Sequence, residues 1–85
     1  MKNIVMYTSD RCPYCVMAER LLASKGVQSI HKIRVDLEPE RRQEMVARTG
    51  RRTVPQIFIE NRHVGGFQEL AALNHEGELD RLLGD

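Results

Sequence analysis

Ile4-Val5-Met6-Tyr7-Thr8-Ser9-Asp10-Arg11-Cys12-Pro13-Tyr14-Cys15 is the stretch whose reading decides the fold. Its first four residues form a continuous apolar run, as expected of a strand buried on both faces. Thr8 to Arg11 break that pattern, and Pro13 suits the first turn of a helix, where a missing N–H is not needed. Beyond it Val16, Met17, Ala18, Leu21 and Leu22 read as a helical apolar stripe that Gly26 stops. Cys12 therefore falls near a helix N-cap, where unpaired backbone N–H groups and the helix dipole stabilise a thiolate and depress its pKa. Arg11 adds positive charge beside it. Cys15 lies one helical turn on, on the same face, and can close a disulfide with Cys12. The spacing predicts an exposed, attacking Cys12 and a more buried, resolving Cys15.

Working outward, residues 30–37 alternate. Ile33, Val35 and Leu37 point one way and Lys32, Arg34 and Asp36 the other, which predicts a strand with one wet face. Glu38-Pro39-Glu40 opens a second helix through Met45 and Val46 to Gly50. Gln56-Ile57-Phe58-Ile59 is a third strand, Asn61-Arg62 a turn, and His63-Val64 a short fourth strand ended by Gly65-Gly66. Leu70, Leu73, Leu79, Leu82 and Leu83 supply the core face of a last helical region, with Gly77 as a break. The order βαβ, α, ββ, α predicts an α/β fold: a four-stranded mixed sheet flanked by three helices, one domain over residues 1–85. Met17 and Met45 are expected at core positions, and His63 in the hairpin with no chemical role.

The chain's 85 residues carry 13 basic and 12 acidic side chains, a net charge of +1. That balance gives no reason to expect nucleic acid or membrane as a partner. The first residues do not read as a signal segment, and no apolar run is long enough to span a bilayer, so a cytoplasmic location is expected. Cys12 and Cys15 are the 2 cysteines, too few for a disulfide-stapled secreted domain. A half-site for zinc is the other reading of a Cys-x-x-Cys pair, but structural zinc takes four ligands. His31, His63 and His75 have no ligand spacing to one another, so no metal is expected and the redox reading is favoured.

Cys12-Pro13-Tyr14-Cys15, Thr53-Val54-Pro55-Gln56-Ile57-Phe58 and Gly65-Gly66 occur in an order and at separations that resemble the dithiol, bacterial, class I glutaredoxins over nearly the whole chain. The resemblance implies a thioredoxin fold and a glutathione-dependent thiol–disulfide oxidoreductase. No cofactor is then bound, and glutathione is a co-substrate. It implies a cis Val54–Pro55 bond whose neighbouring backbone pairs with glutathione as an added strand. Without the other motifs, the start of an edge strand would be the preferred reading of Pro55.

The resemblance also places a glutathione carboxylate at the N-terminus of the last helical region, against Gly66, Phe67, Gln68 and Glu69. Arg42 matches the family's basic position for the glycyl carboxylate, with Arg41, Arg51 and Arg52 near it in sequence; a solvated helix face is the plain alternative. Tyr14 is expected to line the groove beside the thiols, with Arg11, Thr53 and Val54. Two positions depart from the family pattern: Ser9-Asp10-Arg11 stands where a lysine is common, and Gln68 where an aspartate or threonine is common.

The implied reactions are reduction of protein–glutathione mixed disulfides through Cys12 alone and of protein disulfides through Cys12 and Cys15, by a monomer. Two rival readings are a dimer bridging an iron–sulfur cluster through Cys12 and external glutathione, and a glutathione-independent thioredoxin-like reductant. Pro13 disfavours the first, since cluster binders usually have glycine or serine there. The arginines and Gly65-Gly66 disfavour the second.

Overall fold

The computed structural model describes residues 2–84. Eight elements follow in order: β1 (Ile4–Thr8), α1 (Pro13–Ser24), β2 (His31–Arg34), α2 (Pro39–Thr49), β3 (Gln56–Ile59), β4 (Arg62–Gly65), α3 (Phe67–His75) and α4 (Glu78–Gly84). The strands form one sheet in the order β2-β1-β3-β4. β1 runs parallel to β2 and antiparallel to β3, and β4 returns antiparallel beside β3. This is the mixed sheet that the βαβ-then-hairpin pattern predicts.

Period-two alternation divides the core between the two faces of the sheet. Ile4 and Met6 of β1, with Ile57 and Ile59 of β3, pack against Ala18 and Leu22 of α1, Leu70 of α3, and Leu79 and Leu83 of α4. Tyr7 and Phe58 point to the other face, where they meet Ile33, Val35 and Met45 of α2. β1 sits centrally and is buried on both sides, as its apolar run implies.

Three expectations need correction. Among the described residues four helices flank the sheet rather than three, because Gly77 adopts a left-handed φ of +80° that an α-helix cannot contain and splits the last helical region into α3 and α4. β2 ends at Arg34 rather than continuing to Leu37. The amides of Leu37 and Glu38 turn back to the Arg34 carbonyl, and the Arg34 guanidinium grips the Asp36 carboxylate with two hydrogen bonds of 2.8 and 2.6 Å. Val35 is buried as expected, but Leu37 is 68% exposed. On α1 the inward stripe is Cys15, Ala18 and Leu22. At about 100° of rotation per residue, Val16 and Met17 are turned away from that stripe and lie exposed, so Met17 is a surface residue. Met45 is fully buried as expected. Among the described residues no helix is long and apolar enough to cross a membrane.

Candidate active site

The chain leaves β1 at Thr8 and turns through Arg11, whose φ of +55° is left-handed, to enter α1. Cys12 is the N-cap of α1 and Pro13 opens its first turn. The Cys15 backbone N–H donates to Cys12 Sγ at 3.2 Å, so the sulfur takes the place that a capping oxygen usually fills. Cys12 is partly exposed, whereas Cys15 is only 2% exposed. Cys12 and Cys15 are joined as a disulfide, with Cα atoms 5.2 Å apart. The sequence spacing thus gives both the ring closure and the difference in access.

The Val54–Pro55 bond is cis. Val54 carries its carbonyl oxygen to 3.7 Å from Cys12 Sγ. From there a groove of about 300 Å³ runs toward the start of α3, lined by Tyr14, Arg51, Thr53, Val54, Pro55, Gln56, Gly66, Phe67, Gln68 and Glu69. The Tyr14 and Phe67 rings face each other with centroids 6.2 Å apart. Gly66 is tightly placed: a Cβ there would lie 3.3 Å from the Pro55 carbonyl oxygen. At Gly65, where φ is +120°, a Cβ would lie 2.7 Å from Glu69 Oε1. Gly66 therefore serves the close approach of α3 to the Val54–Pro55 turn, and Gly65 supplies a positive φ and the room that the Glu69 carboxylate takes.

Glu69 lies at the third position of α3, and its Oε1 accepts the Gly66 N–H at 2.7 Å and Arg51 Nη1 at 3.0 Å. The Gly66 amide, then Arg51, hold its carboxyl below the usual range. With the Gly66 amide taken, the first-turn amides of Phe67 and Gln68 remain for an incoming anion.

Of the residues expected to bind glutathione, the structure brings together Tyr14, Thr53, Val54, Pro55, Gly66, Phe67, Gln68 and Glu69 on this groove. Arg11 lies on a different depression, of about 520 Å³, which Cys12 and Cys15 line together with Asp10, Glu19, Lys32 and Arg34. Arg42 also lies elsewhere: its Nη1 donates to the Arg52 carbonyl at 2.6 Å, and it borders a hollow with Pro39, Gln43, Val46 and Ala47. The arginine on the groove is Arg51. Sequence reading missed Gln56 as well, which is buried at the groove's floor with its Nε2 donating to the Thr53 carbonyl at 3.0 Å. A polar residue beginning an otherwise apolar strand directly after Val54-Pro55 was the available signal.

A capping thiol, a cis proline beside it and a groove leading to a helix N-terminus can hold a short peptide disulfide against a reactive sulfur. The family model for Glutaredoxin matches residues 4–64. The chain belongs to the glutaredoxin family. It is 54% identical over 83 residues to a glutaredoxin of Neisseria meningitidis, covering 98% of both chains. The solution structure of glutaredoxin from Brucella melitensis superposes with a TM-score of 0.85 at 49% identity, over 98% of this chain and 89% of that one. The crystal structure of a buckwheat glutaredoxin–glutathione complex superposes with a TM-score of 0.88 at 27% identity, over 96% and 76%. Glutaredoxins are thiol–disulfide oxidoreductases that use glutathione as substrate, and the protein is a glutathione-dependent enzyme of this kind with a thioredoxin fold.

Proposed function

We propose that Cys12 is the nucleophile, that Cys15 is the resolving thiol, and that the groove from Tyr14 to Glu69 seats the glutathione half of a protein–glutathione mixed disulfide. The observation that carries this reading is the approach of the Val54 carbonyl to Cys12 Sγ at 3.7 Å, at one end of a groove whose other end is a helix N-terminus. A tripeptide laid along Val54 pairs with its backbone as an added strand. Its γ-glutamyl carboxylate then meets the amides of Phe67 and Gln68, and its sulfur lies beside Cys12.

The Cys12 thiolate attacks the glutathione sulfur of the mixed disulfide. A Cys12–glutathione disulfide forms, and the protein thiolate leaves and takes up a proton. A second glutathione, as thiolate, attacks the bound glutathione sulfur. Oxidised glutathione departs and Cys12 is again a thiolate. With a protein disulfide, Cys12 attacks first and forms a mixed disulfide. Cys15, as thiolate, then attacks the Cys12 sulfur, releasing the reduced protein and closing the Cys12–Cys15 bond. Two glutathiones reopen it. The N-cap position and the Cys15 N–H stabilise the Cys12 thiolate both as nucleophile and as leaving group.

The protein substrates are glutathionylated or disulfide-bonded proteins of the cytoplasm, where glutathione keeps thiols reduced. The chain acts as a monomeric single domain with no resident cofactor. The test is a coupled assay of a small glutathione mixed disulfide with glutathione, glutathione reductase and NADPH. Turnover that depends on Cys12 supports the proposal, and turnover unchanged in Cys12→Ser overturns it.

A further inference from the structure

His63 of β4 pairs directly with Phe58 of β3 in the hairpin register, and the two rings lie 5.0 Å apart. From there His63 Nε2 reaches Gln56 Oε1 at 2.8 Å. Gln56 is 1% exposed, and its amide Nε2 is committed to the Thr53 carbonyl at 3.0 Å, with Thr53 Oγ1 3.4 Å away. The amide oxygen is thus turned to His63 and can only accept. It follows that the proton sits on His63 Nε2 and that Nδ1 is the bare nitrogen. Without that donor, the buried Gln56 oxygen loses the hydrogen-bond partner it has in this structure, and the amide is free to flip away from Thr53.

Thr53 is the residue before Val54, and both line the groove. We propose that His63 is a positioning residue for the glutathione groove: through Gln56 it fixes the Thr53 carbonyl and so the backbone of Val54 against which the substrate lies. His63 lines neither the groove nor the depression at the two cysteines, and it acts on binding geometry alone. Burial, with Arg51 and Arg48 nearby and against the opposing pull of Glu69, holds the ring's pKa below its usual value, which keeps it neutral at pH 7.

The proposal rests on the assignment of the groove to glutathione, and three measurements separate the two. His63→Phe keeps the ring stacked on Phe58 but removes the donor. His63→Gln replaces the ring with a side chain whose Nε2–H can reach the same oxygen. In the coupled assay, His63→Phe is expected to raise KM for the glutathione mixed disulfide by roughly three- to tenfold, the size of one lost hydrogen bond, with kcat unchanged. His63→Gln is expected to restore KM to within about twofold of the starting protein. Long-range ¹⁵N correlation of the unmutated protein reads the tautomer directly and does not depend on any variant folding. An Nε2–H ring supports the relay, and an Nδ1–H ring overturns it. Unchanged KM in His63→Phe, or an equal rise in both variants, also overturns it. A protein in which His63→Phe and the starting chain alike fail to use the mixed disulfide sinks the groove assignment, and the tautomer still decides the relay.

Discussion

Arg51 spans the groove to Glu69, with its Nη1 3.0 Å from Oε1. The two residues are 18 positions apart and come from different walls: Arg51 from the loop after α2, Glu69 from the first turn of α3. The same Oε1 accepts the Gly66 N–H, so this carboxylate both caps α3 and balances a cation. Glu69 therefore does not present a free negative charge to a ligand's ammonium group. The absence of an acid at Gln68 is a real deficit at that end of the groove.

Gln68→Asp should supply the missing charge. Gln68 is exposed on the groove, so the gain is that of an exposed ion pair, up to about 1 kcal/mol. KM for a glutathione mixed disulfide should fall roughly two- to fivefold, with kcat unchanged. A rise in KM would mean that Glu69 leaves Arg51 to meet the ligand and that a second acid only repels its carboxylate.

Between the arginines, the geometry favours Arg51 over Arg42 as the partner of a glutathione carboxylate. A guanidinium has five N–H donors, so Arg51 can keep Glu69 and still take a second carboxylate. Arg42 is turned to the Arg52 carbonyl in a separate hollow. Arg51→Ala should raise KM roughly three- to tenfold, a charge-assisted bond discounted for its exposure. Arg42→Ala should change it by less than about twofold. The reverse ranking in steady-state kinetics would return the assignment to Arg42.

The two thiols should separate cleanly in function. Cys12→Ser removes the attacking sulfur and should abolish both reactions. Cys15→Ser should keep turnover of a small glutathione mixed disulfide and lose reactions that need the intramolecular disulfide. In the reduced protein, iodoacetamide at pH 7 should label Cys12 well ahead of Cys15, since Cys12 is accessible and capped by an N–H whereas Cys15 is 2% exposed. Mass spectrometry of the labelled peptide decides it. Equal labelling, or a dead Cys15→Ser, would remove the division of roles.

What the sequence made legible was local. Ile4 to Tyr7 announced a central strand, Pro13 marked the helix start, and Cys12 and Cys15 were read correctly as cap and buried partner because helical geometry alone fixes them. Gln56 to Ile59 is the third strand that its apolar run implies, with Ile57 and Ile59 on one face of the sheet and Phe58 on the other. The failures came where a turn or a rotation overrode a pattern. Leu37 continues an alternation on paper, but the chain has already turned at Arg34. Met17 is apolar and helical, yet it faces away from the Cys15–Ala18–Leu22 stripe. Contacts between distant positions were out of reach. Arg51 and Glu69 meet only once α3 docks on the Val54–Pro55 turn, and His63 meets Gln56 only through the β3–β4 register. Nothing in the identity of a lone arginine or histidine encodes such a meeting.

Stability should fall with acid in two separable steps, and the signs follow from two depressed pKa values. Burial, then Arg51 and Arg48, lowers His63 below its usual value, so the unfolded chain takes up a proton first as pH drops below about 6.5. Stability therefore declines from that pH down to the folded value. Glu69 is lowered by the Gly66 amide and then by Arg51, so its contribution is full above the usual glutamate range of about 4.3 and is lost as pH falls through its folded value. Asp36, held far below its usual value chiefly by its hydrogen bonds to Arg34, adds to the same lower limb. Glu69→Gln should lower stability at pH 7 by about 0.5–1 kcal/mol through the weakened α3 cap, a Tm loss of a few degrees. It should also reduce, without abolishing, the slope of Tm against pH below about 4.5, and leave the limb between about 5 and 6.5 intact. His63→Gln should do the reverse, flattening the upper limb alone. Thermal unfolding of the three proteins from pH 3 to 8 separates these outcomes. A Glu69→Gln curve parallel to the unmutated one below pH 4.5 would show that this carboxylate is not held by Gly66 and Arg51 in solution.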